Sequence, residues 1–216
     1  MKLDIKAVIF DLDGTILDTR PVYRQATKEM FPNLSEEESL AFGLKIGQEI
    51  EKYGLKSVKS LSEKDLNTWL TLWYKNQETF SCVFEDFYSL IKTLKNKSLL
   101  TAINTNRPQK SLEVRAQLKN YSLENSFDLI MTASEAGKRK PDPVGLLKIC
   151  DYFNLPVSHI LFVGDSNADI LAGKNANINV IALTTGVFQK KELIPLDPFL
   201  IFDSLQEVEN YIKLKI

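Results

Sequence analysis

Two polar segments of the sequence carry closely spaced carboxylates, which can bind a metal ion or act as catalytic groups. Asp11 and Asp13 lie two residues apart directly after an apolar run and precede Gly14, and Asp165 and Asp169 lie in the segment GDSNAD. These carboxylates would repel one another strongly if they came together without a cation. Carboxylate ligands without His or Cys favour a hard cation such as Mg²⁺ over Zn²⁺. The residue types therefore predict a magnesium site.

The same residues could take part in phosphoryl transfer, which needs an in-line nucleophile and stabilisation of charge on the phosphoryl oxygens. Asp11 could attack phosphorus and form an aspartyl phosphate. Asp13 could protonate the leaving alkoxide and then deprotonate the attacking water. The groups available to bind phosphoryl oxygens are a lysine, a hydroxyl and backbone amides, at Lys140, Thr105, Asp13, Gly14 and Asn106.

Short β-branched or aliphatic runs predict the strands that would position these residues. Their bounds are 6–10, 99–103, 129–132, 160–163, 179–183 and 199–202. Helical patterns alternate with them over 84–96, 108–119, 143–153, 168–175 and 205–212. Strands that alternate with helices predict an α/β fold, a doubly wound parallel sheet with helices on both faces.

The candidate residues fall close to the ends of these strands. Asp11, Thr105 and Asp165 follow different predicted strands, and Lys140 lies just before the helical pattern at 143–153. In an open parallel sheet, ligands bind beyond the carboxyl ends of the strands. We therefore expect these side chains to meet at one edge of the sheet.

The segment 16–81 lacks a convincing strand and contains helical patterns at 21–30, 35–42, 48–53 and 62–80. A structureless loop of that length would be unusual in a compact domain. The segment is therefore interpreted as a helical cap domain, inserted into a core domain formed by residues 1–15 and 82–216. Trp69, Trp73 and Tyr74 recur in it at helical spacing and are interpreted as packing residues.

The composition disfavours several classes of partner. Among 216 residues, 27 basic and 28 acidic side chains nearly cancel, so no sequence-wide basic field favours nucleic acid or an anionic membrane. A hydrophobic content of 44% predicts a globular protein. Cys82 and Cys150 are expected to be reduced. The amino-terminal segment resembles neither a signal peptide nor a membrane span, so a cytoplasmic location is the default expectation.

The motifs, taken together, resemble those of a known family. The segments VIFDLDGT, INTN, KPDP and VGDSNADILAGKNA are similar, in this order, to the signature motifs of the haloacid dehalogenase-like (HAD) superfamily of phosphatases. The helical insertion after the first motif resembles the cap of the phosphoglycolate phosphatase and β-phosphoglucomutase group. This resemblance implies a Rossmann-like core and a phosphatase activity.

The resemblance also implies a role for each motif. It makes Asp11 the nucleophile, Asp13 the general acid and base, Thr105 the hydroxyl of the second motif and Lys140 the lysine of the third. The Mg²⁺ ligands that it implies are the carboxylates of Asp11 and Asp165 and the backbone carbonyl of Asp13, with Asp169 as a ligand or support.

Basic residues of the predicted cap could reach an anionic group of a substrate. The segment FGLKIG, residues 42–47, resembles the cap loop that reads the substrate in this group, which implies a role for Lys45. Arg20 and Arg24 are further candidates, although exposed helix charges are common in any protein.

The expected function is Mg²⁺-dependent hydrolysis of a small phosphorylated metabolite, such as a phosphoglycolate-like phosphomonoester, by a monomer or homodimer. A β-phosphoglucomutase-like phosphomutase would use the same chemistry and stays open as an alternative. A signalling receiver also presents carboxylates, Mg²⁺, a Thr and a Lys at a sheet edge, but receivers lack the acid at the position of Asp13 and a helical cap. Haloacid dehalogenases proper lack this acid too, which disfavours carbon–halogen hydrolysis.

Overall fold

The centre of the computed structural model, which describes residues 3–216, is a six-stranded parallel sheet. Its strands are β1 (Ala7–Phe10), β4 (Leu100–Thr105), β5 (Leu129–Thr132), β6 (Ile160–Gly164), β7 (Asn179–Leu183) and β8 (Leu200–Phe202). Their spatial order is β5-β4-β1-β6-β7-β8. The predicted doubly wound sheet is therefore confirmed, and β1 lies inside it between β4 and β6.

Helices cover both faces of the sheet, because successive strand residues point to opposite sides and are apolar on both. The helices on one face are α4 (Asp86–Asn96), α5 (Ser111–Lys119) and α10 (Leu205–Lys215). The helices on the other face are α7 (Val144–Phe153) and α8 (Asn167–Ala176), with the short α6 (Ala133–Ala136) and α9 (Lys190–Leu193) nearby. Along β1, Val8 and Phe10 pack into the first layer, and Ala7 and Ile9 pack into the second.

Three helices form a separate layer at the carboxyl edge of the sheet: α1 (Arg20–Met30), α2 (Glu36–Tyr53) and α3 (Glu63–Phe80). They share a hydrophobic cluster whose buried members are Ala26, Ile46, Leu66 and Trp69. None of the helices among residues 3–216 combines the length and the apolar character needed to cross a membrane.

The helix α2 corrects one expectation from the sequence. We expected separate helices at 35–42 and 48–53 with a loop between them, but α2 runs without a break from Glu36 to Tyr53. Its glycines serve close packing: a Cβ on Gly43 would lie 2.6 Å from the Tyr23 carbonyl oxygen, and one on Gly47 would lie 2.6 Å from the Tyr23 ring. The glycines therefore let α1 approach α2 and do not mark a loop.

A short antiparallel ribbon joins the helical layer to the sheet. The strand β2 (Leu17–Asp18) pairs with β3 (Cys82–Val83), and the Phe84 amide donates to the Ile16 carbonyl at 3.0 Å. The sequence did not predict these strands, since two residues are too few to show a periodic pattern. The ribbon lies next to the proposed domain boundaries, and the division into a core of 1–15 and 82–216 and a cap of 16–81 stays a prediction.

Candidate active site

The central strands β1, β4 and β6 deliver the candidate residues to one edge of the sheet. Asp11 directly follows β1, Thr105 ends β4, and Asp165 directly follows β6. The Asp11 amide donates to the Val163 carbonyl at 2.8 Å, which extends the pairing between β1 and β6 by one residue. The positions of Asp11 and Asp165 are therefore set by two paired strands that are buried along their whole length.

Three buried carboxylates come together at this edge. Asp11, Asp165 and Asp169 each offer an oxygen, and these oxygens lie within 4.8 Å of one another. All three donors are hard oxygens, which suits a divalent cation such as Mg²⁺ better than Zn²⁺. The geometry and the donor set therefore fit a divalent metal site.

The side chain of Lys140 is enclosed among the same carboxylates. Its Nζ donates to Asp11 Oδ1 at 2.5 Å, to Asp169 Oδ1 at 2.6 Å and to the Asn104 carbonyl at 2.9 Å. Only 7% of Lys140 is exposed, so its charge is stabilised by these partners and not by water. A cation held in this position can also bind an anionic group that approaches Asp11.

The site carries more buried negative charge than Lys140 can neutralise. Burial raises the pKa of Asp11 to about 7, and the charge of Asp169 adds to this effect while Lys140 opposes it. Burial and the charges of Asp11 and Asp169 raise the pKa of Asp165 well above its ordinary value. Burial alone would lower the pKa of Lys140, but Asp11 and Asp169 outweigh it and raise this pKa. A second cation would remove the surplus negative charge.

The Thr15 hydroxyl and close contacts with the backbone at Gly14 and Gly186 hold Asp165 in place. The Thr15 hydroxyl donates to Asp165 Oδ1 at 2.6 Å. Gly14 has a φ of +86° and, like Gly186, lies so close to the Asp165 carboxylate that a Cβ at either position would collide with it. Glycine at position 14 is thus required both by the turn and by the space that Asp165 occupies.

Asp169 supports the site from the first turn of α8. Ser166 donates to Asp169 Oδ2 from its amide at 2.9 Å and from its hydroxyl at 2.6 Å, and its hydroxyl accepts from the Asp169 amide in a capping box. The other carboxylate oxygen of Asp169, Oδ1, accepts a hydrogen bond from Lys140. Both Asp169 oxygens thus accept hydrogen bonds, and the bond from Lys140 fixes the direction of the Lys140 ammonium group.

The side chain of Asp13 turns away from these carboxylates and toward Arg107. Arg107 donates from Nε to Asp13 Oδ2 and from Nη2 to Asp13 Oδ1, each at 2.6 Å. Gln77 of α3 donates to Asp13 Oδ1 at 3.2 Å, and Arg107 Nη1 donates to Gln117. The sequence did not predict a role for Arg107, and its position directly after INTN was the only sequence signal that could have pointed to one.

Thr105 and Asn106 lie at the same edge of the sheet as Asp11, where their positions after a predicted strand placed them. Both line the cavity above Asp11. The Asn106 side chain holds the loop that carries Lys140: its Oδ1 accepts from the Lys140 amide at 2.7 Å, and its Nδ2 donates to the Lys140 carbonyl at 3.3 Å. The roles of Thr105, Gly14 and Asn106 in binding phosphate stay predictions.

A cavity of about 110 Å³ opens over Asp11 between the sheet edge and the helical layer. The side chains of the helical layer that line it are Tyr23, Glu51, Trp73 and Tyr74. Trp69 is 1% exposed and packs inside the layer, as expected. Trp73 also packs against this layer, as expected, and in addition lines the cavity, whereas Tyr74 is largely exposed and lines the cavity mouth.

The basic residues expected to reach a substrate lie elsewhere. Arg20 pairs with Asp18 at 2.5 Å and covers the Phe84 ring beside the ribbon. Lys45 is exposed and faces a groove between α2 and the segment that precedes α9, outside the cavity over Asp11. Arg24 pairs with Glu36. The structure thus does not bring these cations to Asp11, since α2 is a continuous helix and directs Lys45 outward.

Comparison with curated proteins finds relatives along most of the chain. The chain is 31% identical over 199 residues to PpaX of Clostridium perfringens, a protein provisionally named a pyrophosphatase. The alignment covers 89% of this chain and 87% of the relative. The chain is 26% identical over 215 residues to a phosphoglycolate phosphatase of Pseudomonas fluorescens, with 93% of this chain and 77% of the relative covered.

Solved structures share the fold. A HAD-superfamily hydrolase of subfamily IA from Geobacter sulfurreducens is 26% identical, with a TM-score of 0.70 and 97% of each chain covered. A haloacid dehalogenase-like family hydrolase from Streptococcus pneumoniae is 21% identical, with a TM-score of 0.77 and 96% of this chain and 98% of that one covered. The sequence itself matches the family described as haloacid dehalogenase-like hydrolase over residues 8–183. With this match and the carboxylates gathered beyond β1 and β6, the chain belongs to the haloacid dehalogenase-like hydrolase family.

Proposed function

We propose that this protein is a Mg²⁺-dependent phosphomonoesterase that hydrolyses a small phosphorylated metabolite through an aspartyl phosphate on Asp11. The observation that carries the proposal is the placement of two carboxylates with different partners at one cavity. Asp11 lies against Lys140, while Asp13 is held by Arg107. The names of the relatives, phosphoglycolate phosphatase and pyrophosphatase, support a phosphoryl group as the group transferred.

The residues that would hold Mg²⁺ are the carboxylates of Asp11 and Asp165 and the backbone carbonyl of Asp13. When bound, Mg²⁺ would neutralise charge on the phosphoryl group and on the buried carboxylates. Asp169 would contribute by orienting Lys140, to which it is hydrogen-bonded at 2.6 Å.

The first step of the proposed reaction transfers the phosphoryl group to the protein. An Asp11 oxygen forms a bond to phosphorus while the bond from phosphorus to the ester oxygen breaks. One Asp13 oxygen, protonated and turned from Arg107 toward the cavity, gives its proton to the leaving alkoxide, while the other oxygen keeps its hydrogen bond to Arg107. Lys140 and the Thr105 hydroxyl hold phosphoryl oxygens during the transfer.

The second step releases phosphate. Water attacks phosphorus, the bond between phosphorus and Asp11 breaks, and Asp13 takes the proton that the water loses. Asp11 returns to its starting state, and Asp13 again carries the proton needed for the next cycle.

Hydrolysis of p-nitrophenyl phosphate with Mg²⁺ tests this proposal. The wild-type protein should turn over repeatedly, Asp11→Asn should have no measurable turnover, and Asp13→Asn should lose about two to four powers of ten in kcat. Wild-type activity in the Asp11→Asn variant would refute Asp11 as the nucleophile. A single stoichiometric phosphorylation without turnover would instead favour a receiver.

Product analysis separates hydrolysis from phosphomutase activity. Incubation with a sugar phosphate should release inorganic phosphate in proportion to the substrate consumed. An isomerised sugar phosphate with little free phosphate would overturn hydrolysis as the main reaction and favour the mutase.

A further inference from the structure

Two side chains of α2 bind the loop 184–189, which joins β7 to α9, and α9 itself. Gln48 Nε2 donates to the Val187 carbonyl of this loop at 2.5 Å and to Glu192 Oε2 of α9 at 3.2 Å. Lys52, one turn further along α2, donates to Glu192 Oε1 at 2.6 Å. Side chains four residues apart lie on the same face of a helix, so one face of α2 is bound to both the loop and α9.

These contacts form a network and not an isolated surface ion pair. The side chains of Lys52 and Glu192 are 27% and 20% exposed. Glu192 Oε2 accepts from the Gln189 amide at 3.1 Å as well as from Gln48. The Lys52 ammonium group lies 5.4 Å from the centre of the buried Phe188 ring. Isolated exposed ion pairs contribute little to stability, whereas networks can contribute more, so this network can hold the loop in one position relative to α2.

The same loop packs against the buried carboxylate of Asp165. A Cβ on Gly186 would lie 1.7 Å from Asp165 Oδ2, so the loop backbone directly contacts this carboxylate. The Thr185 hydroxyl donates to the Gly14 carbonyl at 2.6 Å, and Gly14 contacts the Asp165 carboxylate as well. The loop therefore limits the space in which the Asp165 carboxylate can lie.

The hydrogen bond from α2 and the contact with Asp165 involve adjacent residues of the loop. Gln48 binds the carbonyl of Val187, and Gly186 contacts Asp165. Gln48 itself does not line the cavity over Asp11, so its effect on Asp165 would pass through the loop. Groups that fix the orientation of a metal ligand contribute to metal affinity although they do not touch the metal. The arrangement thus connects the packing of α2 to the geometry of the metal site.

We propose that Gln48 and Lys52 are positioning residues for the metal site, which hold the loop 184–189 against Asp165. The packing of α2 on this loop and the binding of Mg²⁺ then strengthen each other, because a coupling between two equilibria is reciprocal. The proposal rests on the Mg²⁺ site proposed above and adds that residues of the helical layer contribute to its affinity.

Isothermal titration calorimetry of Mg²⁺ into the full chain, without substrate, tests the coupling. Gln48→Ala should weaken Mg²⁺ binding by about fivefold or more. Lys52→Met should weaken it in the same direction, because the ion pair with Glu192 is lost. Lys52→Arg should restore most of the affinity, since a guanidinium group can also pair with Glu192.

Lys45→Met is the matched control, because it removes a lysine from an exposed position of the same helix. It should leave the Kd for Mg²⁺ unchanged. Thermal unfolding of the metal-free proteins in EDTA separates a positioning role from a general effect on stability. A lower metal-free Tm in Gln48→Ala and Lys52→Met, with a Kd for Mg²⁺ equal to that of the wild type, would overturn the positioning role.

An equal loss of Mg²⁺ affinity in Lys45→Met would overturn it too, and absence of Mg²⁺ binding in the wild-type protein would overturn it together with the metal site. Failure of the phosphatase proposal gives a different pattern. In that case the wild-type protein does not hydrolyse p-nitrophenyl phosphate, while Mg²⁺ still binds and its affinity still falls in Gln48→Ala and Lys52→Met.

Discussion

Arg107 donates two parallel hydrogen bonds, each 2.6 Å long, to the Asp13 carboxylate. Arg107 lies two residues after the end of β4, the strand next to β1. Arg107 is 5% exposed, so this ion pair is shielded from water on the arginine side. A planar guanidinium that binds both carboxylate oxygens fixes the direction as well as the position of its partner. Arg107 is therefore a positioning residue for the proposed acid and base.

We expect Arg107→Gln to lower kcat for p-nitrophenyl phosphate by about 10- to 100-fold, because Asp13 loses its orientation. Arg107→Lys should recover only part of this loss, since an ammonium group cannot form the paired hydrogen bonds. Steady-state kinetics with Mg²⁺ measure both effects, and KM should change less than kcat. Arg24→Gln, at a half-buried position that pairs with Glu36 away from Asp13, is the control for loss of an arginine. Full activity in Arg107→Gln would remove Arg107 from this role.

Addition of Mg²⁺ should raise the Tm of the wild-type protein, because the cation relieves repulsion among Asp11, Asp165 and Asp169. Binding to the native state stabilises it by about 2.7 kcal/mol at a concentration a hundredfold above Kd. Asp165→Asn should lose most of this rise and the exposed Asp151→Asn should keep it. Differential scanning calorimetry with Mg²⁺ or EDTA measures the shift, and EDTA should abolish activity. An equal rise in wild type and Asp165→Asn would place the metal elsewhere.

Lys45→Ala should change kcat/KM by less than about twofold, because the side chain lies outside the cavity over Asp11. The same result is expected for Arg20→Ala, whose guanidinium is held by Asp18. Assays with p-nitrophenyl phosphate and with glycerol 3-phosphate check both variants. A tenfold loss in Lys45→Ala with glycerol 3-phosphate alone would restore Lys45 as a residue that reads the substrate.

Glu209 provides a prediction about stability and pH. Burial alone would raise the pKa of Glu209, but hydrogen bonds from Lys213, Thr93 and Ser89 outweigh it and lower this pKa to about 2. A folded-state pKa below the unfolded one stabilises the protein above the unfolded pKa, and the stabilisation is lost as pH falls toward the folded pKa. Glu209→Gln should therefore cost about 1 to 2 kcal/mol at pH 7 and progressively less below about pH 4.5.

Thermal unfolding of wild type and Glu209→Gln between pH 3 and pH 7 checks this dependence. The difference in Tm should narrow as the pH falls. Glu78→Gln, at an exposed position of α3, is the control for loss of a carboxylate and should show no comparable narrowing. A difference in Tm that stays constant with pH would show that the ionised form of Glu209 contributes nothing.

Local sequence patterns were sufficient to predict the sheet and the convergence of the carboxylates at its edge. Apolar runs bounded by turn residues are local signals, and they predicted every strand of the six-stranded sheet to within about two residues. Because parallel strands end at one edge, the positions of Asp11 and Asp165 after β1 and β6 were enough to predict that they lie close together.

The orientations of the remaining side chains depend on contacts between distant parts of the chain and could not be predicted from local patterns. The pairing of Arg107 with Asp13 joins residues 94 positions apart, and no local pattern encodes it. The resemblance of FGLKIG to a cap loop did not show that Gly43 and Gly47 lie in a continuous helix packed against Tyr23, or that Lys45 faces a groove outside the cavity. The helical spacing of Trp73 is the same whether its side chain faces the hydrophobic core or the cavity, so the spacing could not distinguish the two. These side-chain orientations depend on how the helices pack against one another, because the local sequence is compatible with more than one packing arrangement.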